Sequence, residues 1–220
     1  MCQHKFILKL GDVLDGYDYN KMVLLDPAGL PFIQYDNPKG ASGLSEKIYK
    51  KFGIETFHPD VRKHFEGTKN DFRTKLEAFY NIYVVNKNKT ITIVKIVHAV
   101  GPNFNESIDD DALNILSLTE VYKNAFIAFL TSGLQIFRLV PISSGVFNTN
   151  RKTEQPIYND VQLASLTMQS MMQGLKDAEE LQKDKRKVKT IELYLNSKDM
   201  FNAFRTEIQR TQIPRIQARV

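Results

Sequence analysis

An apolar run, Ile136-Phe137-Arg138-Leu139-Val140, stops at Pro141 and is followed by Ile142-Ser143-Ser144-Gly145-Val146-Phe147. Beyond Thr153 and Pro156 comes a long stretch of helical spacing that carries Val161, Ala164, Met168, Met171, Met172 and Leu175. Strand, small-residue loop, helix is the arrangement that aims backbone N–H groups at an anion. The small side chains let a phosphate approach the backbone, and an aromatic such as Phe147 can cover a sugar or base beside it. A plain turn has the same local pattern, so the rest of the chain must decide between the two.

Read in order, the chain repeats this plan. Residues 5–10 alternate as a strand that ends at Gly11-Asp12-Val13, and residues 22–25 form a continuous apolar run with the character of a strand buried on both faces. That run stops at Asp26-Pro27-Ala28-Gly29, where Pro27 cannot donate to a further ladder. The small-residue stretch Asn37-Pro38-Lys39-Gly40-Ala41-Ser42-Gly43 opens a helix over 45–52 that Gly53 stops. Residues 59–65 read as a short helix closed by Gly67. Phe72, Leu76 and Phe79 give helical spacing to 71–80. Strands are predicted at 82–85 and, strongly β-branched, at 90–100, across the turn 86–89. Asp109-Asp110-Asp111 makes an acidic first turn for a helix through Ile115, Leu118, Tyr122, Phe126 and Phe129, closed by Gly133. After the strand 136–140 and the second long helix come a charged turn at 183–189, a strand at 191–195 and a helix at 199–210. Residues 211–220, with Arg215 and Arg219, read as a basic tail on a single domain of residues 1–210.

Strands that alternate with helices predict an α/β fold, a three-layer α/β/α sandwich around a central mixed sheet. In such folds ligands bind beyond the carboxyl ends of the strands. Four loops leave those ends, at 11–12, 26–43, 101–102 and 141–147, and all are small, polar and glycine-bearing. Their convergence favours an anion cradle at 141–147 over a plain turn.

Composition narrows the setting. With 220 residues, 42% hydrophobic and 25% charged, the chain can bury a sizeable core. No run of 18 apolar residues is present, so no membrane span is expected. The start lacks a signal-peptide pattern, and the single cysteine, Cys2, excludes an internal disulfide framework and a cysteine zinc cluster, which together set an intracellular expectation, cytoplasmic or nuclear. The formal charge of +5 favours anionic partners such as nucleotides or nucleic acid.

Gly11-Asp12-Val13, Gly40-Ala41-Ser42-Gly43-Leu44, Val97-His98-Ala99-Val100-Gly101-Pro102 and the 141–147 loop, in this order and spacing from about residue 4 to 210, resemble the macrodomain, the ADP-ribose-binding fold. Tyr49-Lys50-Lys51-Phe52 and His98-Ala99-Val100-Gly101-Pro102-Asn103-Phe104 are similar to the viral members. The resemblance implies that Asp12 accepts from the adenine amino group and Val13 packs on the ring. It implies that Gly40, Ala41, Ser42, Gly43 and Leu44, with Ala28 beside them, wrap one side of the diphosphate and distal ribose. Ser143, Ser144, Gly145, Val146 and Phe147 would cradle the diphosphate from the other side through backbone N–H groups, with Phe147 on the distal ribose, and Asn196 would lie on the adenine side. No metal and no cofactor is implied. The partners the resemblance implies are ADP-ribose or an ADP-ribosylated protein, and a monomer is expected.

The chain departs from the family pattern in three places. Where members often carry Asn-Ala-Ala-Asn, it has Asp26-Pro27-Ala28-Gly29, so the second asparagine is Gly29. The glycine triplet is bulkier at Ala41-Ser42. The aspartate of the de-ADP-ribosylating branch is Ser45, a poor general base at neutral pH. These changes favour binding over catalysis and leave no catalytic residue assigned. An ADP-ribosyl hydrolase or ADP-ribose 1″-phosphate phosphatase with non-standard residues is the alternative. A degenerate scaffold or a binder of adenine-rich nucleic acid is the third reading. Residue by residue, Asp12 can equally cap a turn, Asp26 can be a displaced ribose ligand or a cap, and His98 reads as a satisfied core histidine.

Overall fold

The computed structural model describes residues 4–67, 78–87, 90–108, 110–182, 188–211 and 216–219. The strands β1 (Lys5–Leu10), β2 (Met22–Asp26), β3 (Ala78–Lys87), β4 (Thr90–Ala99), β5 (Ile136–Leu139), β6 (Thr190–Leu195) and β7 (Ile216–Arg219) form one sheet in the order β3-β4-β2-β5-β6-β1-β7. β3 runs antiparallel to β4, and every other neighbouring pair is parallel. The predicted mixed sheet is therefore present, with the carboxyl ends of β1, β2, β4, β5 and β6 along one edge.

Helices cover both faces. α4 (Asp111–Thr131), α5 (Asp160–Leu181) and α6 (Lys198–Arg210) pack on one face, where Leu118, Phe126, Phe129, Met168 and Phe204 bury against Val23, Phe137 and Leu193. On the other, α1 (Leu30–Gln34), α2 (Gly43–Phe52) and α3 (Pro59–Phe65) contribute Ile33, Ile48, Phe52, Val61 and Phe65 against Leu24, Val94 and Ile96. Central strands are apolar on both sides because both sides are covered; β2 is buried at all five positions.

Local chemistry fixes the helix ends. Asp110 accepts from Leu113 N–H at the start of α4, and Ser197 does the same for Met200 at the start of α6. α5 has a reciprocal capping box between Asn159 and Gln162. Lys189, predicted in a charged turn, is buried instead: its ammonium donates to the carbonyls of Phe129 and Leu130 in the last turn of α4, beside the Ser132 groups that also donate to Phe129.

Three further details differ from the sequence reading. Residues 78–80, predicted as the end of a helix, are the start of β3, paired with residues 97–99 of β4. Leu30–Gln34 form α1 and Pro38–Gly40 a 3-10 turn, elements that the sequence reading did not assign. Ile216–Arg219, expected in a basic tail, pairs with β1 as the sheet's last strand. The remaining parts of the 71–80 helix and of the 86–89 and 183–189 turns, together with Asp109, Arg215 and residue 220, lie outside the described residues.

Candidate functional site

β4 and β5 flank β2, and the loops that leave them meet across its carboxyl end. A Cβ built on Gly101 would lie 2.3 Å from Ile142 Cγ2 and 2.4 Å from Ser143 Oγ. Only a glycine permits that approach, so the Gly101-Pro102 motif and the 141–147 loop form one unit. Within the loop, Ile142 N–H donates to Tyr122 Oη at 2.9 Å, from the buried face of α4. Burial holds the Tyr122 phenol well above its ordinary pKa, so it stays a neutral partner.

Ser143 follows in the left-handed region at φ +61, uncommon for a residue with a side chain. Its buried hydroxyl makes no hydrogen bond among the described residues. Ser144 turns its hydroxyl back to the carbonyl of Pro141 at 2.8 Å. Gly145 and Val146 are exposed, and Phe147 is half-buried. Among the described residues, the N–H groups of Ser143, Ser144 and Gly145 are not donated to any other group. Those donors therefore remain available to an anion at the sheet edge.

A strap holds the far end of this loop. Asn148 brackets the backbone of Tyr158, donating to its carbonyl and accepting from its N–H, each at 2.9 Å. Tyr158 Oη in turn donates to Asp111 at 2.6 Å and accepts from Asn114 at 2.7 Å. Burial, then the Asp111 carboxylate, push its pKa up to about 12. Asn105 ties the strap to the loop after β4, donating to Thr149 O at 2.8 Å and accepting from Arg151 N–H at 3.0 Å. Beside the loop opens a crevice of about 700 Å³, bordered by Ser144, Asn148, Tyr158, Gln162, Leu163 and Met200.

The β2–α2 connection leaves the carboxyl end of β2, the strand beside β5. Gly40, Ser42 and Gly43 are exposed, Leu44 is half-buried, and Ala28 and Ala41 are buried. Ser42 is the N-cap of α2 but makes no side-chain hydrogen bond to its first turn. Gly29 has a structural reason to be glycine: a Cβ there would lie 2.8 Å from the Phe32 ring. That ring, on α1, occupies the space an asparagine side chain would enter.

Asp26 is neither a ribose ligand nor a helix cap. It is fully buried and accepts from Ser45 Oγ at 2.6 Å and from Tyr49 Oη. It also pairs with His98 Nδ1 at 2.7 Å. His98 is thus a core histidine with a partner, as its place in an apolar strand suggested. Ser45, in the position of the missing aspartate, is 5% exposed and spends its hydroxyl on Asp26.

After β1, Gly11 adopts φ +144 and donates its N–H to Leu195 O at 2.9 Å, which joins the β1 loop to the end of β6. Asp12 is exposed, and its Oδ1 accepts from Leu14 N–H at 2.9 Å, so it does cap its turn. Val13 is buried in the smaller core rather than displayed. Asn196 is exposed at the end of β6. The loops that carry these residues leave the carboxyl ends of β1, β2, β5 and β6, which lie along one sheet edge, with Val13 turned into the core. Phe32, Tyr122, Arg138 and Tyr158, which organise that edge, have no local signature. No helix among the described residues is long and apolar enough to cross a membrane.

No family model and no curated protein matches the sequence. Solved structures do. An Oceanobacillus iheyensis macrodomain with ADP superposes at TM-score 0.56 and 17% identity, covering 92% of this chain and 89% of that one. A Trypanosoma brucei macrodomain in complex with ADP-ribose gives 0.54 and 14%, covering 91% and 68%. An alphavirus P23pro-zbd structure gives 0.58 and 13%, covering 99% of this chain and 25% of that one.

Proposed function

We propose that this chain, which has the macrodomain fold, is a binding module for ADP-ribose or a related ADP-ribosyl nucleotide, free or attached to a protein. One observation carries the reading. The loop over 141–147 is fixed from below by Tyr122 and Gly101, while the N–H groups of Ser143, Ser144 and Gly145 are left undonated at the carboxyl edge of the sheet. Fixed donors with no intramolecular acceptor suit a diphosphate, because they need no reorganisation to receive it. The exposed Gly40, Ser42 and Gly43 face the ligand's second side in this reading, and Asp12 takes the adenine amino group.

Binding is favoured over hydrolysis because the position expected to supply a base is Ser45, whose hydroxyl is committed to a buried carboxylate. Titration calorimetry with ADP-ribose tests the proposal. Saturable heat that is lost in Gly145→Val supports it. The absence of heat and of any melting shift at millimolar ligand overturns it.

A further inference from the structure

The loop that carries Asp12 has no helix of its own, yet four successive carbonyls in it are taken by cations. Arg138, on β5, donates Nη1 to Val13 O at 3.1 Å and to Asp15 O, and Nη2 to Gly16 O at 3.2 Å. Lys51, in the last turn of α2, donates to Leu14 O. The two cations come from different layers of the fold and grip the loop from two sides.

Arg138 is itself immobilised. It is 4% exposed, its Nε donates to Glu192 Oε2 at 3.0 Å, and its guanidinium lies 5.1 Å from the Tyr194 ring centre. Glu192, also buried, is shared with Lys9 at 2.7 Å. The planar fork of a guanidinium can satisfy several carbonyls and a carboxylate at once, which a single ammonium cannot.

The grip reaches the exposed carboxylate through one residue. Asp12 Oδ1 accepts from Leu14 N–H, and the same residue's carbonyl is held by Lys51, between the two carbonyls held by Arg138 Nη1. We propose that Arg138 and Lys51 are positioning residues that aim the Asp12 carboxylate at the base, so that preference for a base bearing an exocyclic amino group depends on side chains that never touch it. The proposal rests on the ADP-ribose reading above.

The test compares ADP-ribose with inosine diphosphate ribose, which carries a carbonyl where adenine has its amino group. A hydrogen bond to a charged acceptor gives the wild type roughly a tenfold preference for ADP-ribose. Arg138→Gln and Lys51→Met are expected to bring that ratio close to one while affinity for the inosine ligand changes little. Arg138→Lys is expected not to restore it. A parallel loss for both ligands, with the ratio kept, overturns the proposal, since a purely structural role moves both together. Lys51 lies on the exposed face of α2, so its variant keeps the test valid if the Arg138 variants do not fold. Hydrogen exchange supplies a second readout that needs no ligand. The amides of residues 12–17 are expected to exchange at least about tenfold faster in Lys51→Met, with the sheet unchanged; unaltered exchange there overturns the positioning role. If the wild type binds neither ligand, the binding reading fails, and the exchange result alone decides whether these cations fix the loop.

Discussion

Ser45 donates its hydroxyl to Asp26 at 2.6 Å, and the carboxylate that receives it is closed off from solvent by α2 and β4. Two further partners, Tyr49 and His98, converge on the same carboxylate. One residue at the end of β2 therefore joins α2 and β4 to the strand between the two site loops. Its neighbours are oriented toward it, so its removal strands several polar groups at once.

Asp26→Ala is accordingly expected to destabilise the fold by about 3–5 kcal/mol, since it strands the buried hydrogen-bonding groups of Ser45, Tyr49 and His98, each at a cost of about 1–3 kcal/mol. Asp26→Asn should cost less, because the amide keeps an acceptor oxygen for Ser45 or Tyr49. Urea denaturation monitored by circular dichroism measures both. An Asp26→Ala variant within about 1 kcal/mol of the wild type would show that the cluster contributes nothing special. Ser45→Asp would set a second carboxylate against the first, so it should lower stability without creating a hydrolase, as read by mass measurement of a mono-ADP-ribosylated substrate.

Gly101→Ala tests the junction between the loops after β4 and β5. The added methyl would sit 2.3 Å from Ile142 Cγ2 and 2.4 Å from Ser143 Oγ, two side chains that are themselves buried. Overpacking of this kind costs typically about 1–3 kcal/mol. Here it must also displace the strained Ser143, so ADP-ribose affinity is expected to fall more than tenfold, on the order of 1.4 kcal/mol or more. Calorimetry at a temperature where the variant stays folded separates the two effects.

Much of this architecture is legible in the sequence because four of the strands are followed by glycine or proline: Gly11 after β1, Pro27 after β2, Gly101-Pro102 after β4, Pro141 after β5. That punctuation puts four loops on one edge and is independent of tertiary detail. What escaped the reading depends on partners distant in the chain. Phe72, Leu76 and Phe79 have helical spacing, but Phe79 pairs opposite His98 because β4 offers a long β-branched partner. α1 is five residues long with Pro31 at its start, too short for any periodicity to show. Arg138 reads locally as one residue of the strand that leads into a loop motif, and only the fold brings it to the carbonyls of residues 13, 15 and 16. Gly29 looked like a lost ligand residue; the structure ties it to Phe32, three residues on.

Alkaline titration should expose the strap behind Phe147. The folded chain holds the Tyr158 proton until about pH 12, while the unfolded chain releases it near 10. Between those values the folded state binds more protons than the unfolded one, so stability falls as pH rises and the contribution is fully present below 10. In Tyr158→Phe the slope of unfolding free energy against pH over that window is expected to be shallower. An unchanged slope would assign the alkaline loss elsewhere, with Tyr122 as the next phenol to replace, since its pKa is also raised by burial.

Tyr122→Phe removes the acceptor for Ile142 N–H and leaves that buried amide without its partner. Stranding one buried donor costs about 1–3 kcal/mol. Because Ile142 immediately precedes Ser143, the loss should appear at the site as well as in stability. The expected result is weaker ADP-ribose binding with faster exchange confined to residues 142–147. Faster exchange spread evenly through α4 would instead mark Tyr122 as a packing residue only.

The pairing of Gly29 with Phe32 gives the last prediction. Gly29→Ala places a methyl 2.8 Å from the Phe32 ring, and α1 must move to admit it. The ring also packs against the smaller core, so displacing it has a cost beyond the local clash. Phe32→Ala alone loses packing but opens that space. The two substitutions share one volume, so their effects are expected not to add: the double variant should be more stable than the sum of the single losses allows, by roughly 0.5–3 kcal/mol of coupling. If the same cycle is run with Gly29→Asn, the asparagine enters the vacated space only in the Phe32→Ala background, and any gain in ADP-ribose affinity should appear there and not in the single variant. Additive stabilities would mean that Phe32 yields freely and that glycine at 29 is not dictated by the ring.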